Sequence, residues 1–180
     1  GLDLLPQAAE LLKHQVDNRL QGFAKAHVAT DLGAIYVLDR EYEKALQAIW
    51  GSRSTMLPPA LNSYRRVVEA VALAGLERYD HALEVIEFEQ GSTIDKVRTE
   101  ILWKQQNYPA AAEAARRSLP APGAGLSPAD AAVVLRAAVA TALASDRDGA
   151  RNLAAAYGPA MSRSALAEAF SVVTSDAVPS

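Results

Sequence analysis

Tyr42-Glu43-Lys44-Ala45-Leu46 recurs 37 residues later as Tyr79-Asp80-His81-Ala82-Leu83, and 29 residues after that, more loosely, as Tyr108-Pro109-Ala110-Ala111-Ala112. Each copy opens a segment with apolar residues at helical spacing, and each follows a longer segment of the same kind. Self-similarity at a fixed period marks architectures built by repeating one supersecondary unit. Ahead of the first copy stands Leu32-Gly33-Ala34-Ile35-Tyr36; the matching slots before the second hold Glu69, Ala70 and Leu73, and before the third Arg98, Thr99 and Leu102. Small residues there have a physical reason. Paired helices cross closely where Gly33 or Ala70 faces Ala45 or Ala82, with Ala111 in the same place in the third copy. The aromatic residue that opens each second helix fills the wedge beside the crossing.

Working outward, the chain predicts helix after helix. Pro6 suits the first turn of a helix to about residue 20, and Gly22 breaks it. Helices follow over about 24–38, 42–50, 60–76, 79–89, from Ser92 or Thr93 as N-cap to 106, and 108–119. Residues 120–126, Pro-Ala-Pro-Gly-Ala-Gly-Leu, read as a linker. Ser127-Pro128-Ala129-Asp130 then starts a helix cleanly: serine can cap, proline suits the first turn, and the aspartate favours the positive end of the dipole. That helix reaches about 144, followed by 148–157 and 162–174, with a frayed tail over 176–180. No segment alternates with period two, so strands are not expected. The fold class is all-α, about ten helices in antiparallel pairs.

The Leu-Gly-x-x-Tyr element and the Tyr-x-x-Ala copies resemble the tetratricopeptide repeat family, whose period of about 34 residues lies between the two spacings. The resemblance implies a right-handed α-solenoid of stacked antiparallel helix pairs. Residues 1–119 then hold a truncated first repeat (6–22) and repeats over about 26–59, 60–91 and 92–119. Residues 127–175 hold a degenerate pair, in which Ala150 takes the crossing place, and a capping helix. The alternative is a helical bundle that reuses Tyr-x-x-Ala without stacking repeats. More loosely, Leu5–Leu12 and the stretch from Gly158-Pro159-Ala160-Met161 to Phe170 resemble the C-terminal part of long tetratricopeptide proteins of alphaproteobacteria. That resemblance implies bacterial cytoplasm or periplasm, with a lean toward the cell envelope. Gly1 in place of an initiator methionine reads as a tag remnant or a piece cut from a longer protein.

Composition narrows the function. Alanine fills 37 of 180 positions, 18 basic residues face 21 acidic ones, and cysteine is absent. A net charge of −3 argues against a nucleic-acid binder, which needs a basic patch or stripe. The lack of a long apolar run argues against membrane insertion. Without cysteine there is no disulfide, thiolate metal site or thiol nucleophile. The three histidines, His14, His27 and His81, have no second ligand at metal spacing, and no phosphate loop or nucleophile elbow occurs. Asp80, Glu84, Glu87 and Glu89 read as a solvated acidic face. Catalysis, a metal and a cofactor are therefore not expected.

Binding is. In solenoids the first helix of each pair lines an extended concave face. The residues expected there are His27 and Thr30 with Ala34 and Val37, then Tyr64, Val67 and Val71, then Lys96, Glu100 and Trp103. Trp103 is either an interface anchor or ordinary core against the following repeat. The slots that resemble a carboxylate clamp, Thr30, Ala34, Val68 and Val97, are uncharged, so apolar and aromatic contact should dominate. The implied role is a non-catalytic scaffold for a protein or peptide partner. The alternatives are a helical accessory domain of a larger envelope enzyme and a peptide-sensing regulatory module. The helix over 131–144 carries one charge, Arg136, and is apolar all round, so it is either covered by the helices after it or offers a contact for a homo-oligomer.

Overall fold

The computed structural model describes residues 4–123 and 125–175, and the tail 176–180 lies outside them. Among the described residues the chain is all-α, with ten helices and no strand: α1 (Leu5–Asn18), α2 (Gly22–Leu38), α3 (Tyr42–Trp50), α4 (Pro59–Gly75), α5 (Tyr79–Val85), α6 (Ser92–Lys104), α7 (Tyr108–Arg117), α8 (Pro128–Leu143), α9 (Arg147–Met161) and α10 (Ala167–Ser175). No helix of the described residues is long and apolar enough to cross a membrane.

The chain divides into two compact units, Gly1–Glu89 and Gln90–Ser180. The division therefore falls after α5, not at the proline- and glycine-rich stretch 120–126. That stretch lies inside the second unit, where the Tyr157 hydroxyl donates to the Pro120 carbonyl at 2.6 Å. In the first unit α2 packs on α1, α3 and α4; in the second α8 packs on α7, α9 and α10.

Four hairpins, α2–α3, α4–α5, α6–α7 and α8–α9, share one turn. Each passes through a single non-glycine residue in the left-handed region: Arg40 (φ 62°), Glu77 (61°), Gln106 (61°) and Ser145 (58°). The next N–H reaches back five residues, from Glu41 to Tyr36, Arg78 to Leu73, Asn107 to Leu102 and Asp146 to Thr141, at 2.8–3.1 Å. Together with the shorter bond from the left-handed residue itself, this is the Schellman arrangement, which satisfies carbonyls that a helix end leaves open. A left-handed residue with a Cβ costs roughly 1 kcal/mol, so the hydrogen bonds hold these turns, not glycine.

Four residues past each turn stands an alanine, Ala45, Ala82, Ala111 and Ala150, exposed by no more than 3%. Eight residues before each turn's second N–H stand Gly33, Ala70, Thr99 and Ala138, all buried. Gly33 is tightly enclosed. A Cβ there would lie 3.2 Å from Val68 Cγ1 and 3.3 Å from Ile49 Cδ1, so its close neighbours are on α3 and α4 and include branched side chains.

The first unit's inner cluster joins Ala9 and Val16 of α1 to Ala29 and Leu32 of α2. The second unit's core is built from Val134, Ala137 and Ala138 of α8, Leu153, Tyr157 and Met161 of α9, and Phe170 of α10. Full burial of a side chain the size of Leu153 or Phe170 contributes about 1.5–3 kcal/mol. α9 and α10 thus cover much of α8, although Leu143 at its end remains half exposed.

Several helix ends differ from expectation. The fifth helix stops at Val85, well short of 89, and Glu89 folds back to accept hydrogen bonds from Ser63 and Arg66 of α4, so it is not a solvated helical glutamate. Ser92 and Thr93 lie inside α6, whose N-cap is Gly91 at φ 116°. α9 continues through Pro159 to Met161, with the proline two residues from its end. Residues 162–166 form turns and not the start of the last helix, with the Met161 carbonyl taking both the Ser164 N–H and its hydroxyl.

Candidate functional site

On the first unit, α2 and α4 lie against each other and leave one row of aromatic and polar side chains outside the core. Phe23, one turn before His27, is 51% exposed, and the two rings stand 6.0 Å apart. His27 Nδ1 lies 3.7 Å from an Asp31 carboxylate oxygen one turn further on. Asp31 in turn acts on Tyr64 of α4, whose phenol is held above its ordinary pKa of 10, first by partial burial and then by the Asp31 charge. Phe23, His27, Asp31 and Tyr64 therefore form one strip across α2 and α4. Val67 and Val71, the next positions on α4, are half-buried beside it. Phe23 and Asp31 were not singled out in the sequence, though their spacing of four residues on either side of His27 marks one helical face.

Thr30 is the correction to this face. It is completely buried, and its hydroxyl donates to the Ala26 carbonyl at 2.6 Å while accepting from Arg65 at 2.9 Å. A threonine hydroxyl that bonds back along its own helix turns its side chain onto that helix. Thr30 therefore belongs to the core. Of the clamp-like slots, Val68 is buried too.

Arg65 is the residue that sequence reasoning passed over. Only 5% exposed, it bridges three pieces of chain: Nη1 donates to the Ala26 carbonyl (2.8 Å) and Nη2 to the Ile49 carbonyl (2.6 Å), while Ser52 Oγ accepts from both at 3.2 Å. Every one of these acceptors is neutral. Burial holds the Arg65 guanidinium below its ordinary pKa; the Glu69 carboxylate counters that, and the Arg53 charge adds to it. The arginine closes the C-terminal end of α3, where the Ile49 carbonyl lacks a helical partner.

On the second unit, Lys96 and Glu100 are exposed on α6 and Trp103 is half-buried. The Glu100 carboxylate pairs with Arg136 of α8 at 2.8 Å, and the Arg136 guanidinium lies 4.9 Å from the Trp103 ring centroid. Trp103 also meets Tyr108 edge-to-face, at 5.6 Å and 77°. Trp103 is thus clamped between α7 and α8 with part of its ring open. Below Glu100 and Arg136 a small cavity of about 230 Å³ is walled by Thr99, Ala115, Ser118, Ala132 and Val133, with Lys96 at its edge. It can take one side chain of a partner, not a whole small ligand.

Of the crossing and wedge positions, Ala45, Ala70, Ala82 and Ala111 are fully buried; Tyr36, Tyr42, Tyr79 and Tyr108 are half-buried. Among the described residues no group of three or more histidine, aspartate and glutamate side chains is placed to hold a metal ion. Compared with protein-family models, curated proteins and solved structures, the chain matches none.

Proposed function

We propose that the four hairpins are repeats of tetratricopeptide type, stacked as in an α-solenoid within each unit, and that the chain is a non-catalytic scaffold for a protein or peptide partner. The observation that supports this best is the strip Phe23–His27–Asp31–Tyr64, where the first helices of two successive hairpins lie side by side and leave two aromatic rings exposed. Tyrosine and tryptophan set among weaker contacts are the usual anchors of an interface. Lys96, Glu100 and the open edge of Trp103 offer a second, independent patch on the other unit.

The test uses peptides selected from a random display library on the intact chain. His27→Ala or Tyr64→Ala is expected to weaken a peptide that binds the first unit about tenfold or more, and Trp103→Ala one that binds the second, with helicity unchanged by circular dichroism. Affinities that survive all three substitutions would retire these faces. A turnover assay that is reproducible and abolished by a single substitution would remove the non-catalytic half of the proposal.

A further inference from the structure

The first unit has a concavity between the end of α3, the loop after it and the opening turns of α4. It encloses about 570 Å³, a size that suits a small organic ligand. Its lining carries three guanidinium groups, Arg53, Arg65 and Arg66, against one carboxylate, Glu69. That carboxylate is engaged, accepting the Trp50 indole N–H at 2.6 Å. Arg66 reaches Glu89 at 2.9 Å, and the Arg65 donors are spent on backbone and hydroxyl oxygens.

Arg53 is different. It is exposed, it has no hydrogen-bond or ion-pair partner among the described residues, and it stands near enough to Arg65 for the two charges to repel. The Ser54, Thr55 and Asn62 side chains, which also line the cleft, make no hydrogen bond among the described residues. The first turn of α4 adds to the imbalance: Pro58 offers no capping side chain, and no acidic residue sits in that turn to meet the positive end of the helix dipole. Unspent donors, excess positive charge and a sheltering wall occur together, and what they lack is an acceptor with negative charge.

We infer that this cleft binds an oxyanion, phosphate or carboxylate, on a small ligand, with Arg53 and Arg66 as the contacting cations and Ser54, Thr55 and Asn62 as neutral donors. Guanidinium groups suit this task because their forked donors match the paired oxygens of either group. Arg65 does not touch the ligand; it contributes charge from beneath. The site does not depend on the proposed partner face.

The test follows the Trp50 indole N–H by NMR on the full chain while inorganic phosphate, and separately succinate, is added at constant ionic strength against a sodium chloride control. A saturable shift with either anion is expected, weakened about tenfold or more in Arg53→Gln, a variant that breaks no hydrogen bond or ion pair among the described residues and should melt no lower than the wild type. Response to phosphate alone would assign a phosphorylated ligand, and response to succinate alone a carboxylate. No saturable shift beyond the chloride control, or a shift that Arg53→Gln leaves intact, would overturn the inference.

Discussion

The Tyr42 ring lies flat against Gly75: a Cβ built on that glycine would stand 2.5 Å from Cε1 and Cζ of the ring. The glycine is the last residue of α4, while the left-handed turn is made two residues later by Glu77. It is the hollow that admits the aromatic residue opening α3. Gly75→Ala should destabilise the chain by about 1–3 kcal/mol through overpacking. In a Tyr42→Ala background the same change should stabilise it, because alanine is the better helix former by roughly 1 kcal/mol. Urea titration of the four proteins checks the reversal of sign; equal effects in both backgrounds would show that the ring is not the obstacle.

Arg65 makes a second expectation. Arg65→Ala removes its bonds to the Ile49 and Ala26 carbonyls, each of which keeps another donor, and leaves a cavity, at a cost of about 2–3 kcal/mol. Arg65→Lys keeps the charge but lacks the fork that spans both carbonyls, so it should recover less than half of that loss. Thermal and urea melts of the two variants decide it. A lysine variant as stable as the parent would mean that charge alone suffices.

The left-handed turn residues carry a cost that glycine would remove. Gln106→Gly and Glu77→Gly should each raise stability by up to about 1 kcal/mol, an increase in melting temperature readable by calorimetry. A decrease would mean that the glutamine or glutamate side chain contributes more than its backbone strain removes.

Tyr157 links stability to alkaline pH. Burial holds its phenol above the ordinary pKa of 10, and only the neutral form can donate to Pro120. A folded-state pKa above the unfolded one gives stability that is complete below about pH 10 and is lost as pH rises through the folded value. The chain should therefore lose stability in that window, and Tyr157→Phe should lose less there. At neutral pH that variant should cost about 0.5–1.5 kcal/mol, the worth of one hydrogen bond. Ultraviolet difference titration should show two late-ionising tyrosines, Tyr64 and Tyr157, of which the variant keeps only Tyr64.

Much of the helical layout was legible, because its signals are local. Ser127 and Asp130 form the reciprocal cap that their spacing suggests, with bonds of 3.1 Å and 3.3 Å, and Asn107 caps the helix that it introduces. The misread residues depend on remote partners. An arginine four residues before a glutamate on an amphipathic helix, as Arg65 stands to Glu69, reads as surface; only the approach of α2 and of the loop at Ser52 supplies acceptors that make its burial tolerable. Thr30 reads as part of an exposed face until Arg65 of α4 is seen to donate to its hydroxyl. Glu89 reads as one more solvated acid because Ser63 and Arg66 lie more than twenty residues away in the chain. Trp103 was left open between anchor and core, and its surroundings explain why: Tyr108 and Arg136 hold it, yet one edge faces outward.

The shared turn has a consequence for how such a chain can drift through evolution. Its conformation is fixed by main-chain groups, and arginine, glutamate, glutamine and serine all occupy the strained place. Mutation can therefore rewrite these corners freely, erasing likeness between neighbouring hairpins or between distant descendants, while the buried alanine five positions after the strained residue tolerates no added bulk. Descendants would keep a sparse pattern of small residues long after the remaining letters had diverged, and a search for them would do better to weigh that spacing than overall identity.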